Sequence, residues 1–142
     1  MTNFQQIRGL FERATYDALR SAGVIAELVF FDGVQETPPD GSAIYAVVSL
    51  SFDQTALDMV GCPVEAIKGS LMCNIYTPKQ RGSRPGEDIA AEVLRAWVGL
   101  NRAPQTVNRP RVQNIEGPRT IAPDQRPHHC HSMSCSFTAA AA

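Results

Sequence analysis

Hydrophobic positions divide the chain into helical and strand-like stretches. Phe4, Ile7, Leu10, Phe11, Ala14, Ala18 and Ala22 recur at three- and four-residue spacing, the mark of an amphipathic helix. Thr2 or Asn3 can cap its start, and Gly23 can stop it because glycine accepts a left-handed backbone. The spacing predicts a helix over residues 3–22. "VIAELVFFDG" then reads as a strand ending in an Asp32-Gly33 turn, and Pro38, Pro39 and Gly41 make the next stretch a loop.

Strict alternation follows in "AIYAVVSLSFDQ". Ile44, Ala46, Val48, Leu50 and Phe52 share one face, which is expected to be core. "VEAIKGSLMCNIYTP" is a second long strand, with Ile67, Gly69, Leu71, Cys73 and Ile75 on one face and Ala66, Lys68, Ser70, Met72, Asn74 and Tyr76 on the other. A glycine inside a strand often marks a bulge, here expected near Gly69, and Pro78 ends the run. "DIAAEVLRAWVGL" reads as a second helix with Ile89, Val93, Leu94, Trp97 and Leu100 buried. Glu87 and Asp88 suit the positive end of its dipole.

The final third gives a short strand over residues 112–115, a segment broken by Pro118, Pro123 and Pro127, and a closing strand in "HCHSMSCSFTA". The terminal alanines read as a frayed end. The order is helix, two or three strands, helix, two strands. That predicts one α+β domain over residues 1–142: a mostly antiparallel sheet with two helices packed on one face.

Composition adds limits. At 142 residues, 44% hydrophobic and 19% charged, the chain suits a globular domain with one core. No apolar run approaches the ~20 residues that span a bilayer, and the N-terminus lacks the apolar run of a signal peptide. No membrane partner is expected. Cys62, Cys73, Cys130 and Cys135 show no C-x-x-C spacing, so free thiols are expected. Charge is uneven. Residues 1–67 carry nine acidic and three basic side chains, net −6; residues 68–142 carry ten basic and five acidic, net +5. Sequence alone favours both halves mixing in one folded surface; the sharper reading is a polar molecule that packs head to tail with copies of itself or a charged neighbour.

Candidate chemistry concentrates in "PHHCHSMSC", which holds His128, His129, His131, Cys130 and Cys135. On a strand rising ~3.3 Å per residue, His129 and His131 share a face about 7 Å apart, Cys130 points away, and Cys135 lies about 13 Å beyond His131. The run offers at most two ligands per face, and zinc needs three or four. A half-buried strand with Met133, Cys135 and Phe137 inward is the expected state, His129 and His131 being placed to meet a neighbouring subunit or an adventitious metal. Glycines in "TPKQRGSRPGED" precede a helix, but no Gly-Lys-Ser/Thr opens it, and Glu87 and Asp88 would repel an anion. Its charges Lys79, Arg81 and Arg84 are interface candidates. There is no Gly-x-Ser-x-Gly elbow or His-Glu-x-x-His motif; fourteen acids offer many spatial pairings for a two-carboxylate site, but nothing specific points to one, so no catalytic residues are named. No metal or cofactor is expected. Arginines lacking interleaved aromatics give no specific nucleic-acid motif.

The order of these elements, with "YAVVSLSF" followed by "EAIKGSLMCNIYTPKQRGSRPGEDIAAEVLRAW", resembles the tail terminator proteins of long-tailed, lambda-like bacteriophages. The matching positions are Tyr45, Gly69, Tyr76, Thr77, Pro78, Gly82 or Gly86, and Trp97, and the likeness covers about residues 1 to 100. The His-rich final strand and the 102–127 segment depart from it. The resemblance implies an α+β subunit of a virion ring, assembled in the host cytoplasm. In the family this resemblance implies, the ring is hexameric, caps the tail tube, ends its polymerisation and joins it to the head-neck connector at the tail-neck junction. Partners would be further copies, the tube protein and the connector, with DNA passing through the ring and no catalysis. The alternatives are another ring-forming neck or tail-completion protein, and a small metal-dependent enzyme using His129 and His131.

Overall fold

The structure is a computed structural model, which describes residues 4–32, 43–57, 64–78, 82, 84–104, 108–121 and 128–140. Helix α1 (Phe4–Ser21) leads through a short 3-10 turn to β1 (Val29–Phe31). Then come β2 (Tyr45–Leu57), β3 (Val64–Pro78), α2 (Arg84–Gly99), β4 (Pro110–Ile121) and β5 (His128–Ala140). The strands form one sheet in the order β1-β2-β3-β5-β4. Among the described strands only the β1–β2 pairing is parallel. This is the α+β architecture expected, with both helices on one face.

Alternation accounts for the sheet. Ala46, Val48 and Leu50 of β2, Ile67, Leu71, Cys73 and Ile75 of β3, and Met133, Cys135, Phe137 and Ala139 of β5 all point into the core. Ile7, Phe11, Ala18 and Leu19 of α1 and Ile89, Ala90, Val93 and Trp97 of α2 close over them. Phe11 packs on Phe137 with ring centroids 4.7 Å apart. Each large side chain so buried contributes roughly 1.5–3 kcal/mol before conformational entropy is charged.

Several boundaries differ from the periodicity. Phe4, the first position of the apolar stripe, is 43% exposed and rests edge-on against Phe52, whereas Leu19, outside that stripe, is fully buried. Leu94 is also exposed, because α2 turns the side carrying Gly86, Ile89, Ala90, Val93 and Trp97 inward. The first long strand candidate shrinks to Val29–Phe31, since Ala26–Leu28 form the 3-10 turn. The expected bulge falls on β2, where Asp53 is skipped between Phe52, which pairs with Gly69, and Gln54, which pairs with Lys68. Gly69 itself is needed for close approach: a Cβ there would strike the Ser51 carbonyl oxygen and the Phe137 ring. β4 is far longer than residues 112–115 and runs through Pro118, which an edge strand tolerates; its register shifts between Glu116 and Arg119. Ala139 and Ala140 are strand, not a frayed end.

The sheet edges are sealed locally by side chains. Asp32, at φ +44 just past β1, takes the Leu50 N–H at 3.0 Å on Oδ1 and pairs with Arg8 through Oδ2. Arg8 also reaches the Leu50 carbonyl at 3.5 Å. On β4, the Asn101 side chain takes the Val112 N–H and donates to the Val112 carbonyl, both at 2.8 Å.

Candidate interface

In sequence the interface candidates fall between the end of β3 and the start of α2. Lys79 and Arg81 lie outside the described residues. Arg84 is the first residue of α2 and is exposed, as are Glu87 and Asp88. An open depression of about 520 Å³ separates Arg84, Asp88 and Glu92 of α2 from Ser21 at the end of α1, from Ala22 just after it and from Ile44.

Strand β5 divides its ligand-like side chains between the two faces. His131, Met133, Cys135 and Phe137 point toward the helices, and Cys130 toward the opposite face. His131 is fully buried, which corrects the expectation that it meets a neighbouring subunit. It lies under the first turn of α2 so tightly that a Cβ on Gly86 would strike its ring. Its Nδ1 is 3.3 Å from Thr120 Oγ1, and its Nε2 has no hydrogen-bond partner among the described residues. Burial lowers the His131 pKa; nearby Glu87 opposes the shift and His129 adds to it. His129 is half-buried, its ring centroid 6.4 Å from that of His131. Among the described residues no three His, Cys, Asp or Glu side chains gather where one metal ion could be held.

The thiols are structural. Cys73, Cys130 and Cys135 are unbridged and buried, and Cys62 lies outside the described residues. Burial pushes Cys73 up to about 12, with Cys130 adding to it. Burial does the same to Cys135, although a backbone hydrogen bond at Leu71 opposes it. Thiols that far from ionisation are poor nucleophiles at neutral pH.

Two features were not visible in the periodicity. On the sheet face away from the helices, Tyr45 stacks on Tyr76 with centroids 4.4 Å apart and planes 7° apart. The His128 ring meets Tyr45 edge-on, and His128 Nε2 is 2.8 Å from the Ala43 carbonyl. Pairing of Tyr45 with Tyr76 across β2 and β3 is the register that would have revealed this cluster. The second feature is Met72, 44% exposed near the middle of that same face.

No family model matches the chain, and no curated protein matches it. Solved structures do. One, described by a sequence identifier, is 22% identical over 98% of this chain and 96% of its own, with a TM-score of 0.72. A chain from the virion of a native gene transfer agent particle is 21% identical over 94% of this chain and 96% of its own, with a TM-score of 0.51. At these identities the likeness establishes the fold. No described helix is long and apolar enough to cross a membrane.

Proposed function

We propose that this chain is a structural subunit of a phage-like particle, acting as a tail terminator. Copies assemble into a ring that caps the tail tube, ends its polymerisation and joins it to the head-neck connector at the tail-neck junction. The carrying observation is the end-to-end fold likeness to a chain of a gene transfer agent virion. The sequence resemblance supports the finer assignment, since its glycine positions have structural work: Gly69 admits Phe137 and Gly86 admits His131. Tyr45 and Tyr76 form the stacked pair, and Trp97 fills the core. No catalytic step is proposed. Buried thiols of raised pKa and a histidine locked beneath a helix are packing groups rather than reagents.

In this reading the partners are further copies, the tube protein and the connector, and Arg84 presents a charge to one of them. Light scattering on the purified protein, with negative-stain images, tests it. A ring with a central hole, and shorter or capped tubes when the protein is added to polymerising tube subunits, are expected. A protein that stays monomeric across concentrations and leaves tube length unchanged overturns the reading.

A further inference from the structure

The sheet face opposite the helices is covered by no described element. Ser49 and Ser51 of β2, Ser70 and Met72 of β3, and Ser132, Ser134, Ser136 and Thr138 of β5 lie on it. Serines alone would make a solvated antiparallel face. Met72 breaks that pattern, and a groove of about 240 Å³ opens beside it toward Gly117 and Arg119. Lys68, Arg111, Arg119 and one acid, Glu116, also stand on this face, with Asp53 at its β2 bulge. Lys68 and Arg111 flank Thr138 in a single cross-strand row.

On the opposite side of the subunit, α2 carries a second uncovered surface. Ala91, Leu94 and Val98 form an exposed stripe at helical spacing, Leu94 37% and Val98 45% exposed. Arg84, Glu87 and Asp88 continue it at the N-terminal end. Among the described residues none of Glu87, Asp88, Lys68, Arg111 and Arg119 forms an ion pair. One surface is thus a helical ridge headed by Arg84 and two acids, and the other a flat face of small side chains bordered by three bases, Glu116 and Asp53.

We infer that a second copy of this chain lays its α2 ridge on the open sheet face of the first, Leu94 and Val98 packing around Met72, with Glu87 and Asp88 turned to Lys68, Arg111 and Arg119. The inference rests on the ring reading and names the surfaces that build the ring. Ridge and face lie on opposite sides of one subunit, so the contact is heterologous and propagates head to tail, closing into a ring when the rotation allows. Sheet edges are the poorer route: Asp32 and Arg8 occupy Leu50, Asn101 occupies Val112, and β4 carries Pro110 and Pro118. Small side chains let a helix approach closely, so the outer face receives a helix as the inner face already does.

Cysteine pairing tests the geometry. Met72→Cys and Leu94→Cys replace exposed side chains, so folding is expected to persist, and circular dichroism checks this. Under mild oxidation, a mixture of the two single variants is expected to give the 72–94 heterodimer. The double variant is expected to give a ladder extending beyond dimer, and wild type run in parallel accounts for the native thiols. Rings by light scattering without a 72–94 crosslink overturn these surfaces and leave the ring reading standing. Crosslinking of Leu94→Cys only to itself indicates a two-fold contact and overturns the head-to-tail arrangement. Monomers throughout, without crosslinks, overturn both. As a second measurement, Glu87→Lys with Asp88→Lys is expected to weaken association about tenfold or more, and Lys68→Glu with Arg111→Glu in the same chain to restore it. Failure of the restoration sinks the charge pairing.

Discussion

Trp97 Nε1–H on α2 donates to Thr15 Oγ1 on α1 at 2.9 Å, with both residues fully buried. This bond joins the two helices inside the core and explains a threonine in the apolar stripe of α1. A buried indole N–H left without its acceptor costs about 1–3 kcal/mol, so Thr15→Val is expected to destabilise by that amount. Trp97→Ala is expected to cost about 3–5 kcal/mol through the cavity it leaves. For Trp97→Phe and Thr15→Val, the double variant is expected to lose less than the sum of those two single variants, because the orphaned donor is gone. Denaturant unfolding of the four proteins checks it; strict additivity would refute the coupling.

Gly86 and His131 are a second coupled pair. A methyl group at Gly86 meets the imidazole, which is walled in by the core and cannot swing away. Gly86→Ala is therefore expected to lower stability despite alanine's higher helix propensity, by about 1–3 kcal/mol as an overpacking effect. His131→Ala in the same chain makes room, so the methyl is then expected to cost little. Melting temperatures of the set decide it, and equal costs with and without His131 would show that the contact is not the cause.

Burial holds His131 below the ordinary histidine value of 6.5, with His129 adding to the shift and Glu87 opposing it. The unfolded chain therefore takes up a proton at this site at higher pH than the folded one. The stability associated with neutral His131 is complete above about pH 6.5 and falls as pH drops toward the folded pKa. Between about pH 7.5 and 5.5 wild type is expected to lose more melting temperature than His131→Gln, which cannot titrate. Parallel curves for the two proteins would show that His131 does not set the acid limit.

Much of the fold was legible because most strands alternate cleanly. β2, β3 and β5 each bury one face beneath helices, so their inward residues could be read directly. β4 was largely hidden. As an edge strand it can carry Pro118 and a register shift, and it is mostly exposed, so neither alternation nor breaker residues reveal its length. The helix errors share one cause: an apolar stripe three or four residues wide does not say which margin faces inward. Contact with His131 and the core selected Gly86 and Ala90 over Leu94. Arg84 could be placed from sequence at an exposed helix start. The open sheet face could not be recognised as a surface, since it emerges only when three strands set their serines and Met72 side by side.

The last prediction concerns Asp32, which holds a left-handed backbone and closes the β2 edge with its side chain. Its carboxylate takes the Leu50 N–H and binds Arg8, which also lies over the Phe52 ring at 5.7 Å. Because Asp32 and Arg8 are each about one-third exposed, the ion pair itself adds little; the hydrogen bond and the backbone conformation matter more. Asp32→Ala loses the acceptor and places an alanine at positive φ, so it is expected to cost about 1–2 kcal/mol. Asp32→Asn keeps an oxygen for Leu50 and a residue that tolerates this backbone, so it is expected to cost well under half as much. Asp32→Gly relieves the backbone without restoring the acceptor and is expected to fall between them. Urea unfolding of the three variants measures the order. Asparagine as damaging as alanine would mean that the Arg8 charge pair, not the Leu50 hydrogen bond, holds this edge.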